Sequence, residues 1–153
     1  MDAKPSTFPA LRTRKAPVLP ESLSDPKALA MAIVEAAWSK NGYHTRIYDV
    51  RKLVDYTDLF VILTGRSDRQ VTAIAEAIEV TLKSKGAQAS GVEGKKSSTW
   101  VLIDYGSVVV HVFEKTARDH YDLDKLWADA EVVEVVEPTW VQEFSRVENG
   151  EDW

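Results

Sequence analysis

Ser67, His111 and Asp104 are the residue types of a nucleophile, its base and an orienting acid, and hydrolysis would need them in one hydrogen-bonded line. The segment around Ser67, TGRSDRQ, lacks the G-x-S-x-G elbow that presents a hydrolase serine. A second chemistry is nucleotidyl transfer. Gly65 and Ser67 lie in a turn between an apolar strand and a helix, where backbone amides and the helix dipole can hold a phosphate. That reaction also needs paired carboxylates on a neighbouring strand to hold metal ions. The following strand, AQASGV, has none, Asp104 is alone on its strand, and Asp122 and Asp124 fall in a segment that reads as helical. His44, His111 and His120 show no metal-ligand spacing, so His111 reads as a half-buried strand residue with a hydrogen-bonded ring. The residues therefore define no catalytic, metal or cofactor set. A nucleotidyltransferase-type enzyme is the alternative reading, and Ser67 is expected to cap a helix.

The elements that position these residues are legible from periodicity. Phe60, Val61, Ile62 and Leu63 run without alternation, as in a strand covered on both faces, within Asp58 to Thr64. Ser67 and Gln70 form an S-x-x-Q capping box. Val71, Ile74, Ala75, Ile78 and Leu82 then make the apolar stripe of a helix from Asp68 to Lys85, stopped by Gly86. Upstream, Asp25-Pro26 starts a helix that Asn41-Gly42 ends, and a short strand is expected around Thr45 to Val50. A weak strand near Ala87 to Val92 leads through EGKKSST to two strong strands, Trp100 to Tyr105 and Val108 to Glu114, joined tightly at Gly106-Ser107. A helical segment after Thr116 carries Tyr121, Leu123, Leu126 and Trp127. The order predicts an α/β fold with a mixed sheet of about five strands flanked by helices.

The composition, 44% hydrophobic and 28% charged over 153 residues, suits one globular domain. The absence of cysteine excludes disulfides and thiolate metal sites and fits a reducing compartment. No apolar run approaches the roughly 20 residues of a membrane span, and no membrane partner is expected. The net charge of -5 is uneven: residues 1–20 carry four basic residues against Asp2, and residues 131–153 carry seven acids against Arg146. The folded part shows no basic stripe of the kind a general nucleic-acid binder needs. Five of the six prolines lie in the first 26 residues. Residues 1–24 are read as a flexible basic arm, with some likeness to an organelle transit peptide, residues 25–130 as the domain, and residues 131–153 as an acidic tail, draped on the surface or mobile.

The hairpin carries the strongest binding signal. Alternation puts Val101, Ile103 and Tyr105 on one face and Trp100, Leu102 and Asp104 on the other. If helices cover only the first face, Trp100 and Leu102 stand beside a carboxylate on an open surface, the makeup of a protein-docking patch. If a second helix layer covers them, they are core. Periodicity leaves both readings open.

From about Asp25 to Ala130 the chain resembles the RsfS/Iojap family of ribosomal silencing factors. The resemblance rests on DLFVILTGRSDRQVTAIAEAI, the GVEG turn, STWVLIDYGSVVVHVF and RDHYDLDKLW, in that order. It implies a nucleotidyltransferase-like fold without the catalytic carboxylates and a non-enzymatic regulator of translation. Such a protein would bind the large ribosomal subunit at the interface protein L-fourteen, block joining of the small subunit under nutrient limitation, and form a homodimer when free. By position, Trp100 and Tyr121 match aromatic residues of the family's docking surface, and Leu102, Asp104, Glu93 and Arg118 lie in the same motifs. The compartment implied is bacterial cytoplasm, or a mitochondrion or plastid. The basic arm departs from the family pattern; peripheral contact with rRNA is one use for it.

Overall fold

The structure is a computed structural model that describes residues 16–148. After a 3-10 turn (Glu21–Leu23) the elements are α1 (Pro26–Trp38), β1 (Tyr43–Asp49), β2 (Leu59–Gly65), α2 (Asp68–Ser84), β3 (Gly91–Glu93), β4 (Trp100–Asp104) and β5 (Val108–Glu114). They are followed by α3 (Lys115–Tyr121), α4 (Leu123–Leu126), β6 (Glu131–Val132) and α5 (Thr139–Glu148). The strands form one mixed sheet in the order β3-β4-β5-β2-β1-β6, one short strand more than the periodicity predicts.

β2 is buried along its whole length because it lies inside the sheet with a layer on each side. It pairs parallel with β5 and antiparallel with β1, and the connection from β2 to β5 contains α2. Val61 and Leu63 face the main core, with Val101, Ile103 and Tyr105 of the hairpin and the apolar sides of α1 and α2. Phe60 and Ile62 face a second, smaller core with Leu102, Val109 and Phe113, closed by Leu123 and Trp127.

The caps form as the residue types dictate. The Asp25 carboxylate accepts from the Ala28 amide at 3.1 Å, and Ser67 Oγ accepts from the Gln70 amide at 3.2 Å. The returning arm of the capping box differs from expectation. Gln70 Oε1 accepts from the Arg66 amide at 2.6 Å, and its amide group donates to the Lys40 carbonyl at 3.0 Å. This side chain therefore ties the start of α2 to the end of α1.

Both ends are more integrated than composition indicates. Val18 exchanges backbone hydrogen bonds with Gln88 at 2.9 and 2.8 Å, and Leu23 is buried, so the latter part of the expected arm packs on the domain. Residues 1–15 and 149–153 lie outside the described residues. The boundary expected at residue 130 is not an edge of the fold. β6 pairs with β1, and α5 buries Val141 completely in the main core. Its acidic residues mask an apolar stripe of Val141 and Phe144, spaced i, i+3.

Candidate functional site

Trp100 opens β4, directly after the loop from Gly94 to Thr99. That loop turns sharply: Gly94 has φ of +91°, and a Cβ there would lie 2.0 Å from the Trp100 carbonyl oxygen, so only glycine fits. Ser98 also sits at positive φ, and its hydroxyl shares a 2.6 Å hydrogen bond with that of Thr72 on α2. The loop is pinned further by a 2.9 Å ion pair between Lys95 and Glu79.

The Trp100 ring is held on several sides. It stacks on Phe113 at 4.9 Å, its direct cross-strand neighbour, and lies 4.8 Å from the Tyr121 ring at the end of α3. Its indole N–H donates to Nδ1 of His111 at 3.1 Å. His111 is fully buried rather than half-buried, and burial pushes its pKa down to about 3. Its ring is therefore neutral at physiological pH; because Nδ1 accepts, the proton sits on Nε2. Trp100 remains partly exposed, and Tyr121 is 39% exposed. Together they form an aromatic pair at the surface above the smaller core.

The other four predicted residues divide. Leu102 is 2% exposed and packs in the smaller core: the second helical layer, carrying Leu123 and Trp127, covers it, so it supports the surface from below. Arg118 is likewise mostly covered. Its guanidinium donates to both oxygens of Asp124, with Nε at 3.0 Å from Oδ2, to Thr64 Oγ1 at 2.8 Å and to the His44 carbonyl. With its side chain 11% exposed, it clamps α3 to α4, β2 and β1. Asp124 also accepts from the Tyr48 hydroxyl at 2.7 Å. Burial opposes the Asp124 charge, but the bonds and charge of Arg118, with Tyr48, outweigh it and hold the carboxyl below its usual range. Burial, and then Asp124 itself, raise Tyr48 to about 12.

Glu93 and Asp104 remain partly exposed. Glu93 pairs across from Leu102 on β3, and Asp104 pairs across from Gly91, so both lie on the face that carries Trp100. The Asp104 carboxylate accepts from the Gly106 amide at 2.8 Å and thereby shapes the hairpin turn. What sequence reasoning missed is the support given by His111 and Phe113. The turn at Gly106-Ser107 holds the signal, because counting back along both strands brings residue 100 opposite 113.

The hydrolytic triad does not assemble. Ser67 follows the carboxyl end of β2, whereas Asp104 pairs with Val109 near the start of β5, parallel to β2. His111 is sealed beneath Trp100. Among the described residues no group of three or more His, Cys, Asp or Glu side chains is placed to hold a metal ion.

The six-stranded mixed sheet and its helical layers define an α/β domain that carries the supported aromatic pair partly exposed at its surface. Residues 23–152 match the family model described as ribosomal silencing factor during starvation, and the chain belongs to that family. It is 37% identical over 113 residues to the ribosomal silencing factor RsfS of Halalkalibacterium halodurans, covering 74% of this chain and 96% of the relative. A mouse relative named mitochondrial assembly of ribosomal large subunit protein 1 is 31% identical over 96 residues, covering 58% of this chain and 42% of that protein. Among solved structures, one from Chromobacterium violaceum superposes with a TM-score of 0.67 at 33% identity, covering 75% of this chain and 97% of that one.

Proposed function

We propose that this chain binds the large ribosomal subunit at the interface protein L-fourteen and blocks the small subunit from joining, repressing translation when nutrients are scarce. The observation that carries the reading is the Trp100–Tyr121 pair, partly exposed and held at 4.8 Å. A rigid aromatic centre loses little conformational freedom on binding and supplies the apolar core of an interface. Glu93 and Asp104, on the same face, would meet basic side chains of a ribosomal protein, and their charge would be repelled by neighbouring phosphates. The name of the mouse relative, which specifies the large subunit, supports the same partner.

In this reading the protein acts by occlusion and not by catalysis, in bacterial cytoplasm or an organelle descended from it, and the basic arm makes at most a peripheral contact with rRNA. The test is co-sedimentation with separated subunits, followed by a joining assay. Binding to large subunits alone, with joined ribosomes falling in proportion to occupancy, is the expected result. Equal binding to both subunits, or unaffected joining at saturation, would overturn it.

A further inference from the structure

The chain enters the domain at the turn of the β4–β5 hairpin. Val18 exchanges backbone hydrogen bonds with Gln88, and Pro17 lies against Gly106, where a Cβ would come within 2.8 Å of the Pro17 Cγ. The Gly106 amide in turn donates to the Asp104 carboxylate at 2.8 Å. Residues leading into Pro17 are therefore tethered beside the acid at one end of the Trp100 face. From that end the face has an order: Asp104 at the turn, Glu93 across from Leu102 in the middle, and the Trp100–Tyr121 pair at the far end of β4. The other side of the hairpin end has no unmatched acid. Its cleft of about 200 Å³ is lined by Glu79 and Lys83, and Glu79 is already paired with Lys95.

Outward from Pro17 the sequence runs in the complementary order. Lys15, Arg14 and Arg12 come first, then Leu11 and Phe8, with no acid among residues 8–15. The lengths agree as well: Asp104 to Trp100 spans about 13 Å of strand, and Lys15 to Phe8 reaches about 25 Å when fully extended. We infer that residues 8–15 are an intramolecular occupant of this face, with the basic residues at Asp104 and Glu93 and Phe8 against the Trp100–Tyr121 pair. The consequence for translation rests on the proposed ribosome binding. A tethered occupant competes with a ribosomal protein for the same acids and aromatics, so the arm lowers affinity in proportion to the fraction of molecules whose face it covers.

The chain has no cysteine, so Ser6→Cys in the full chain accepts a single nitroxide label just beyond Phe8. The label should broaden the amide signals of Trp100 and Tyr121 and spare those of α2, which lies on the opposite side of the sheet. The broadening should fade in about 1 M salt, where the screening length falls to about 3 Å. Arg12→Gln, Arg14→Gln and Lys15→Gln together should also remove it. The same triple variant without the label should bind large subunits roughly three- to tenfold more tightly than the wild type. A label that leaves Trp100 and Tyr121 as sharp as α2 overturns the seat, and broadening that survives both salt and neutralisation overturns the charge pairing. Broadening accompanied by unchanged or weaker subunit binding of the triple variant overturns the competition, weaker binding meaning that the arm grips rRNA instead. Broadening in a chain that binds no large subunits, with or without the three substitutions, upholds the seat and refutes only the ribosome binding.

Discussion

The indole N–H of Trp100 reaches Nδ1 of His111 across a diagonal of the β4–β5 ladder at 3.1 Å, and that nitrogen accepts only while the ring is uncharged. A surface aromatic is thereby oriented by a buried base. The arrangement couples the candidate docking residue to the protonation state of the core.

Stability should consequently fall in acid through His111. Its folded pKa, about 3, lies below the ordinary value of 6.5, so its stabilising contribution is complete above that ordinary value and declines as pH falls toward the folded one. The slope from this one group approaches about 1.4 kcal/mol per pH unit. His111→Gln keeps an acceptor for the indole and removes the titration. Denaturation at pH 7, 6, 5 and 4 should show a shallower decline in the variant than in the wild type, and coincident slopes would show that His111 is not held neutral.

Tyr121 and Trp100 separate docking from packing. Tyr121 is 39% exposed, so Tyr121→Ala should weaken large-subunit binding by about 2 kcal/mol, or roughly 30-fold, with a small change in thermal stability. Trp100→Ala should weaken binding at least as much and also destabilise, because it vacates the contact with Phe113 and leaves His111 without its donor. Asp104→Lys should weaken binding by placing a cation against a basic partner. Leu102→Ala should show the reverse balance, a loss of about 2 to 5 kcal/mol of stability with near-normal binding by the folded fraction. Binding and melts on the same four proteins decide between these assignments.

Much of this was readable in the chain because it is local. The alternation of β4, the stripe of α2 and the caps at Asp25 and Ser67 each depend on residues within a few positions of one another. The face of Trp100 was legible too, but what covers it was not, since Leu123 and Trp127 reach Leu102 only through the left-handed turn at Asp122, with φ of +50°. Resemblance alone puts Arg118 among the docking residues. Its partners Thr64 and His44 lie 54 and 74 positions away, and no period encodes them. Glu137 reaches Thr45 across 92 positions, which is why an acidic, valine-rich end read as a tail.

Ser67→Ala should cost about 0.5 to 2 kcal/mol through the lost N-cap and leave ribosome binding unaltered. The Gln70 side chain supplies an independent fastening at the same turn, so Ser67→Ala combined with Gln70→Ala should destabilise more than either change alone. A loss of binding without a loss of stability would mean that the turn contacts a partner.

Arg118 provides the sharpest separation between a clamp and a docking charge. Its guanidinium joins three elements through Asp124, Thr64 and the His44 carbonyl, and it is mostly covered. Arg118→Ala should therefore lower stability by roughly 3 kcal/mol, because the partly buried Asp124 is left without its counter-charge. Arg118→Lys keeps the charge but not the planar fork that serves several acceptors at once, so it should recover only part of the loss. In acid the wild type should lose this contribution as well: the Asp124 carboxyl is held below its usual range, so the stabilisation is present above the ordinary carboxylate pKa and is lost as pH falls through the lowered one. Urea unfolding of the three proteins at neutral pH and near pH 3 reads both effects, with the gap between wild type and Arg118→Ala narrowing in acid. A gap that stays constant with pH, or an Arg118→Ala protein of full stability that no longer binds large subunits, would return Arg118 to the docking surface.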